Sequence, residues 1–135
     1  MPVSIDLQQA PDRWILSLAG DLDYAECAQL RIHIDRILRA SPPAVIADLS
    51  GLDYMDSSGL GLLLSLSREF AAQGGRLVLV TNKTVDDILY MTRLTGIFTI
   101  AESVEQATEL LADTRAVVRV SDTIGGRALE AGPPA

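Results

Sequence analysis

One cysteine, Cys27, and one histidine, His33, are all that 135 residues supply of the side chains most used for metal and nucleophile chemistry. A lone cysteine closes no internal disulfide and builds no thiolate metal site by itself, which argues against redox chemistry. Basic residues are also scarce. With 11 Lys and Arg against 18 Asp and Glu the net charge is −7, a poor match to nucleic acid, whose phosphates need clustered lysine and arginine. A basic partner face would suit such a chain better, although acidity alone also serves solubility. No uncharged apolar run approaches the ~20 residues of a membrane-spanning helix, and the amino terminus lacks a basic stretch followed by an apolar core. No sign of export or membrane insertion is present, so a cytoplasmic location is expected.

What is present suffices for one core. Hydrophobic residues make up 48% of the chain, and this length supports one domain but hardly two. "PVSIDL" and "RWILSLAG" are short apolar segments separated by "QQAPDR", whose Pro11 and Asp12 suit a turn, so a hairpin is expected. From Asp23 to Arg39 the period changes. Cys27, Leu30, Ile34, Ile37 and Leu38 share one helical face and Gln29, His33 and Arg36 the other, until Ser41-Pro42-Pro43 stops the helix. "AVIADLS" is compact and rich in β-branched residues, as in a strand buried on both faces. A second helix follows through Leu60, Leu63, Leu64 and Phe70 and ends at Gly74-Gly75, before the strand "RLVLVT". Thr84 to Leu94 has helical spacing at Val85, Ile88, Leu89 and Thr92, and "IFTI" is short enough for an edge strand. Ser103 and Gln106 form a capping box ahead of Val104, Ala107, Leu110 and Leu111. The order ββαβαβαβα implies an α/β fold: a mixed sheet of about five strands with about four helices, covered on at least one face. Residues 1–113 form the expected domain. Residues 114–135, ending in "GGRALEAGPPA", are expected to be a mobile tail, although "AVVRV" within them has the composition of a strand.

The segment "MDSSGLG", Met55 to Gly61, is set between strand and helix and carries more than a helix start requires. Asp and Ser are preferred caps, and a cap is worth about 1 kcal/mol with no function attached. Here three residues able to cap are followed by Gly59 and Gly61 inside the first turns, where each glycine costs about 0.5–1 kcal/mol relative to alanine. Such glycines permit close approach by another backbone of the domain or by a partner. The helix start also offers unpaired N–H groups and the positive end of the macrodipole, which favour an anionic group.

Enzymatic chemistry lacks its parts. A serine hydrolase needs a base beside the nucleophile, but His33 is expected on the outer face of the first helix, and no G-x-S-x-G elbow surrounds Ser57. No G-x-x-x-x-G-K-[ST] phosphate loop is present. Asp48 resembles a phospho-accepting aspartate only in position, since Leu7-Gln8-Gln9 supplies no acidic pair for Mg²⁺; a strand-end role is the simpler reading. Asp21 and Asp23 are too few for a cation site without further oxygen ligands, and Asp23 reads first as the cap of the first helix.

"VIADLSGLDYMDSSGLGLLL", with "GDLDYAECAQLR" before it and "LTGIFTI" after it, closely resembles the STAS domain family, within it the bacterial anti-sigma factor antagonists, over about Val3 to Asp113. The D-S-[ST]-G-L-G element in this context is the specific part. The resemblance implies a single STAS-like domain with no catalytic residues of its own. It implies phosphorylation at Ser57 by a partner that is both serine kinase and anti-sigma factor, and a partner surface formed by Asp21, Asp23, Asp56, Ser57, Ser58 and Gly59. Ser58 is expected to be mainly structural, although its hydroxyl also accepts phosphate. On this reading the unphosphorylated chain binds the kinase and frees a sigma factor, and a phosphatase restores the phosphorylated form. The chain itself would need no cofactor, ATP and Mg²⁺ belonging to the kinase, and would be a monomer or weak homodimer. The alternative is a STAS interaction module in a scaffold, sensory or transport-associated complex, with the same segment as docking surface and no phospho-switch.

Overall fold

The computed structural model describes residues 2–112. The expected tail beyond 113, including "AVVRV", lies outside the described residues. Five strands, β1 (Ser4–Gln9), β2 (Trp14–Leu22), β3 (Ala44–Met55), β4 (Arg76–Val80) and β5 (Thr99–Ala101), lie side by side in chain order. β1 and β2 form the expected antiparallel hairpin, and the other neighbours pair in parallel, giving the mixed sheet. Four helices, α1 (Cys27–Ala40), α2 (Ser57–Ala72), α3 (Lys83–Met91) and α4 (Val104–Ala112), complete the order ββαβαβαβα.

This strand order decides where the helices go. Each parallel connection steps one place in the same direction, and right-handed crossovers then put α1, α2 and α3 on one face. Their buried residues Leu30, Ile34 and Ile37, then Leu63, Leu66 and Phe70, then Val85 and Leu89 share one core with Leu16, Leu18 and Leu22 of β2 and Val45, Ala47 and Leu49 of β3. Burying each such side chain contributes about 1.5–3 kcal/mol. α4 follows the last strand and covers the other face, setting Ala107 and Leu111 on Ala44, Ile46, Val78, Val80 and Ala101. No described polar or charged residue is fully buried.

Several boundaries differ from the expectations. The chain after Asp23 first makes a single 3₁₀ turn, Tyr24–Glu26, and α1 begins only at Cys27, so Asp23 caps that turn instead of the α-helix. Ser41 closes α1 in the left-handed conformation at φ 48, ahead of the two prolines that prevent continuation. β3 does not end with "AVIADLS" but runs on through "GLDYM" to Met55. α3 stops at Met91, because Thr92 turns its hydroxyl back onto Ile88 O at 2.7 Å and Arg93 takes φ 62. Ile97 belongs to a 3₁₀ turn, Thr95–Ile97, leaving β5 only three residues. Leu110, placed by periodicity on the packed face of α4, is 40% exposed. The capping box at Ser103 forms, but Gln106 Oε1 reaches back to Glu102 N one residue earlier than the usual partner.

Candidate functional site

The site is built where β2 and β3 leave the sheet. β3 pairs with β4 only as far as Asp48↔Val80, so from Leu49 to Met55 its β4 side has no strand beside it. Asn82, which sequence reading missed, supplies a substitute. Its Nδ2 donates to Ser50 O at 3.0 Å and Leu52 O at 2.8 Å, while its Oδ1 accepts from Val85 N at 2.9 Å as the cap of α3. An asparagine just before a helical pattern is a legible cap signal; its reach to a strand thirty residues away is not. On the other side, β2 follows β3 through two register shifts, Ser17/Ala19 and Gly20/Asp21, which carry Leu22 alongside Met55.

Gly20 lies within this shifted segment with φ +90, and a Cβ there would meet Pro2 O at 2.5 Å, so glycine is required on both counts. Beyond Leu22 the chain turns through Asp23, whose Oδ1 accepts from Glu26 N at 3.2 Å. Asp56 then joins the two loops. Its N–H donates to Leu22 O at 3.2 Å, and its Oδ1 accepts from Ser58 N at 2.9 Å and Gly59 N at 3.1 Å, capping α2. Its Oδ2 accepts from Tyr24 N at 3.0 Å, thirty-two residues away in the chain. One carboxylate thus caps a helix and holds the neighbouring loop against it. The cap was legible in "MDSSG"; the bridge to Tyr24 was not.

Ser57 is the first residue of α2 and is exposed. Ser58 is half-buried with its N–H engaged by Asp56. Gly59 is buried: a Cβ there would lie 2.7 Å from Leu22 Cγ and 3.0 Å from Leu22 O, so its close approach is to its own domain. At Gly61 nothing lies within 4 Å of where its Cβ would be, so of the two expected kinds of close approach the one within the domain is not made there. Cys27, in the first turn of α1, donates its thiol to Asp23 O at 3.3 Å. Burial pushes that thiol's pKa up, and the carboxylates of Asp56 and Asp23 push it further against the opposing pull of Arg31. The structure therefore gathers Asp23, Asp56, Ser57, Ser58 and Gly59. Asp21 alternates with buried Leu22 along β2 and so takes the opposite sheet face at the same edge, in register with Tyr54.

His33 engages Gln29 O at 2.9 Å, one turn earlier on α1, and is not joined to Ser57. Asp48 does not take the expected strand-end role: it lies within β3, at the last residue paired with β4, and accepts from Ser50 N at 3.1 Å and Ser50 Oγ at 2.7 Å, because β3 runs on to Met55. Among the described residues no group of three or more His, Cys, Asp or Glu converges for a metal ion. Ser57 presents an exposed hydroxyl at the start of a helix capped by Asp56.

A βαβ sheet carrying this loop pair defines a class. The family model of the STAS domain matches residues 4–107, and the chain belongs to that family. Among curated relatives, the "Anti-sigma F factor antagonist" of Paenibacillus polymyxa is 30% identical over 113 residues, covering 82% of this chain and 97% of that protein. The "Anti-sigma F factor antagonist" of Lysinibacillus sphaericus is 39% identical over 67 residues, which span 49% of this chain and 57% of that protein. Among solved structures, the Bacillus cell fate determinant SpoIIAA in its phosphorylated form superimposes with a TM-score of 0.60 at 25% identity, covering 87% of this chain and 99% of the other.

Proposed function

We propose that this chain is an anti-sigma factor antagonist controlled by phosphorylation of Ser57. With Ser57 free it binds an anti-sigma factor that is also a serine kinase, and so releases a sigma factor. The observation that carries this reading is an exposed serine at the first position of α2, beside the Asp56 carboxylate that caps the helix and ties it to the Tyr24 turn. The names of the two curated relatives and the phosphorylated state of the solved relative support it.

In the transfer, Ser57 Oγ forms a bond to the γ-phosphorus of ATP as the bond to the β-phosphate oxygen breaks. ADP leaves, and the hydroxyl proton passes to a base of the kinase. ATP and Mg²⁺ are held by the kinase; the present chain is substrate and binder. Phosphorylation adds about 1.5–2 negative charges beside Asp56 and Asp23. Asp56 already commits both oxygens to N–H groups, so the new dianion meets like charge, and burying it against the kinase carries a desolvation cost. Within the free domain the amino end of α2 offsets part of that charge, so the modified chain stays folded and loses its partner. A phosphatase returns it to the binding form. Among the described residues no helix is long and apolar enough to cross a membrane, and a cytoplasmic monomer or weak homodimer fits this role.

Phosphopeptide mass spectrometry after incubation with the purified kinase and ATP tests the site. Phosphate on Ser57 is expected, and phosphate confined to Ser58 would overturn the assignment. Absence of any label on a chain that still binds the kinase would favour a docking module without a switch.

A further inference from the structure

Tyr24 is 80% exposed, yet its backbone is tied to the second loop of the site. Its N–H is held by Asp56 Oδ2, and the turn that carries it is fixed by Asp23 on Glu26 N, by the Cys27 thiol on Asp23 O, and by Glu26 Oε1, which accepts from Val3 N at 3.2 Å. A loop with so many ties has its shape set in advance, and that shape directs an aromatic ring into solvent two residues from the Leu22 carbonyl that anchors Asp56. Charge at this turn is mainly acidic. The side-chain carboxylates tied into this turn are those of Asp23, Glu26 and Asp56, and the nearest basic residue along the chain is Arg31, one turn into α1.

We propose that Tyr24 is the anchor of the partner-binding surface, and that its occupant is a protein presenting an apolar pocket for the phenol ring, rimmed by arginine or lysine. The proposal rests on the function proposed above and goes beyond it by naming the residue that sets affinity and the chemistry of the surface it meets. A tyrosine has only two side-chain torsions to fix, and here its backbone is already fixed, so its burial loses little conformational freedom. Aromatic side chains held this way dominate contact energies, and surrounding charges mainly guide approach and register. The acidic rim also explains why the neighbouring serine is an effective control point, since it lies within the same contact area.

Tyr90 provides an internal control. It is 79% exposed, equal in bulk to Tyr24, and stands in the last turn of α3, a helix that starts beside this edge and runs away from it.

The test is calorimetric titration of the full-length chain against the purified kinase-type anti-sigma factor of the same organism, loaded with ADP. Tyr24→Ala is expected to weaken binding by about 30-fold or more, the size typical of an interface anchor. Tyr24→Phe should stay within about threefold and Tyr90→Ala should match wild type, with unchanged thermal unfolding throughout. Binding by Tyr24→Ala within twofold of wild type would overturn the anchor, as would an equal loss in Tyr90→Ala. Ser57→Asp in the same titration separates the two claims. If it binds as wild type while Tyr24→Ala does not, the phospho-switch fails and the anchor stands. Absence of binding by the wild-type chain would overturn both.

Discussion

Replacing Asp56 with alanine removes three hydrogen bonds from one side chain, and their values can be worked separately. The two part-buried bonds to Ser58 N and Gly59 N are an N-cap, worth about 1 kcal/mol. The bond from Tyr24 N to Oδ2 involves a charged acceptor but is solvent-exposed, so water replaces part of it and about 0.5–1 kcal/mol is the expected share. Asp56→Ala should therefore lose about 2 kcal/mol in all. That lowers the urea midpoint by about 1 M at a typical slope for this size and the melting temperature by about 5–10 °C. Asp56→Asn divides the account. Its single carbonyl oxygen can keep the cap, but its amide nitrogen is a donor and cannot accept from Tyr24 N, so the loss should be only about 0.5–1 kcal/mol. Amide exchange followed by NMR should show Tyr24 N–H unprotected in both variants and Gly59 N–H unprotected in the alanine variant alone. An Asp56→Ala midpoint within 0.2 M of wild type, or equal damage by alanine and asparagine, would refute this reasoning.

Gly59→Ala and Gly61→Ala should differ in sign. The first forces a methyl onto Leu22 and is expected to destabilise by about 1 kcal/mol after the helix-propensity gain is counted, whereas the second, in open space, should stabilise by about 0.5–1 kcal/mol; urea denaturation of the pair checks it. Asn82→Ala loses a cap and two bonds to β3 carbonyls and should cost about 2 kcal/mol, with faster amide exchange confined to the end of β3 and the start of α3. Cys27 has its thiol pKa raised by burial and by Asp56 and Asp23, so its thiolate fraction at a given pH is lower than that of a free thiol. Iodoacetamide should therefore react more slowly with the native chain than with the unfolded one, and faster with Asp56→Asn than with wild type.

The elements were legible where periodicity and punctuation agreed. Leu30, Ile34 and Ile37 on α1, the double proline after Ser41 and the glycine pair after α2 each carry a local signal, and the structure follows them. The length of β3 was not legible, because "GLDYM" breaks the buried pattern of "AVIADLS" with exposed Asp53 and Tyr54; it is a strand only because β2 pairs with one side and Asn82 clasps the other. The 3₁₀ turn at Tyr24 combines a local cap, Asp23 on Glu26 N, with a tertiary tie, Asp56 on Tyr24 N, that no local signal reveals. In the candidate site, Asp56 as a cap and Ser57 as an exposed first helical residue follow from sequence rules. The separation of Asp21 onto the other sheet face needs β2 to run on to Leu22, beyond the apolar segment "RWILSLAG". Gly59 and Gly61 look alike in sequence and differ only in that Leu22 lies against one of them.

The central claim, that phosphate on Ser57 releases the partner, is tested most directly by one comparison. The affinity of the purified kinase-type anti-sigma factor is measured for the unmodified chain and for the same chain phosphorylated stoichiometrically at Ser57. A loss of about 100-fold or more is expected from burying a dianion beside Asp56 and Asp23. Equal affinities would contradict the account.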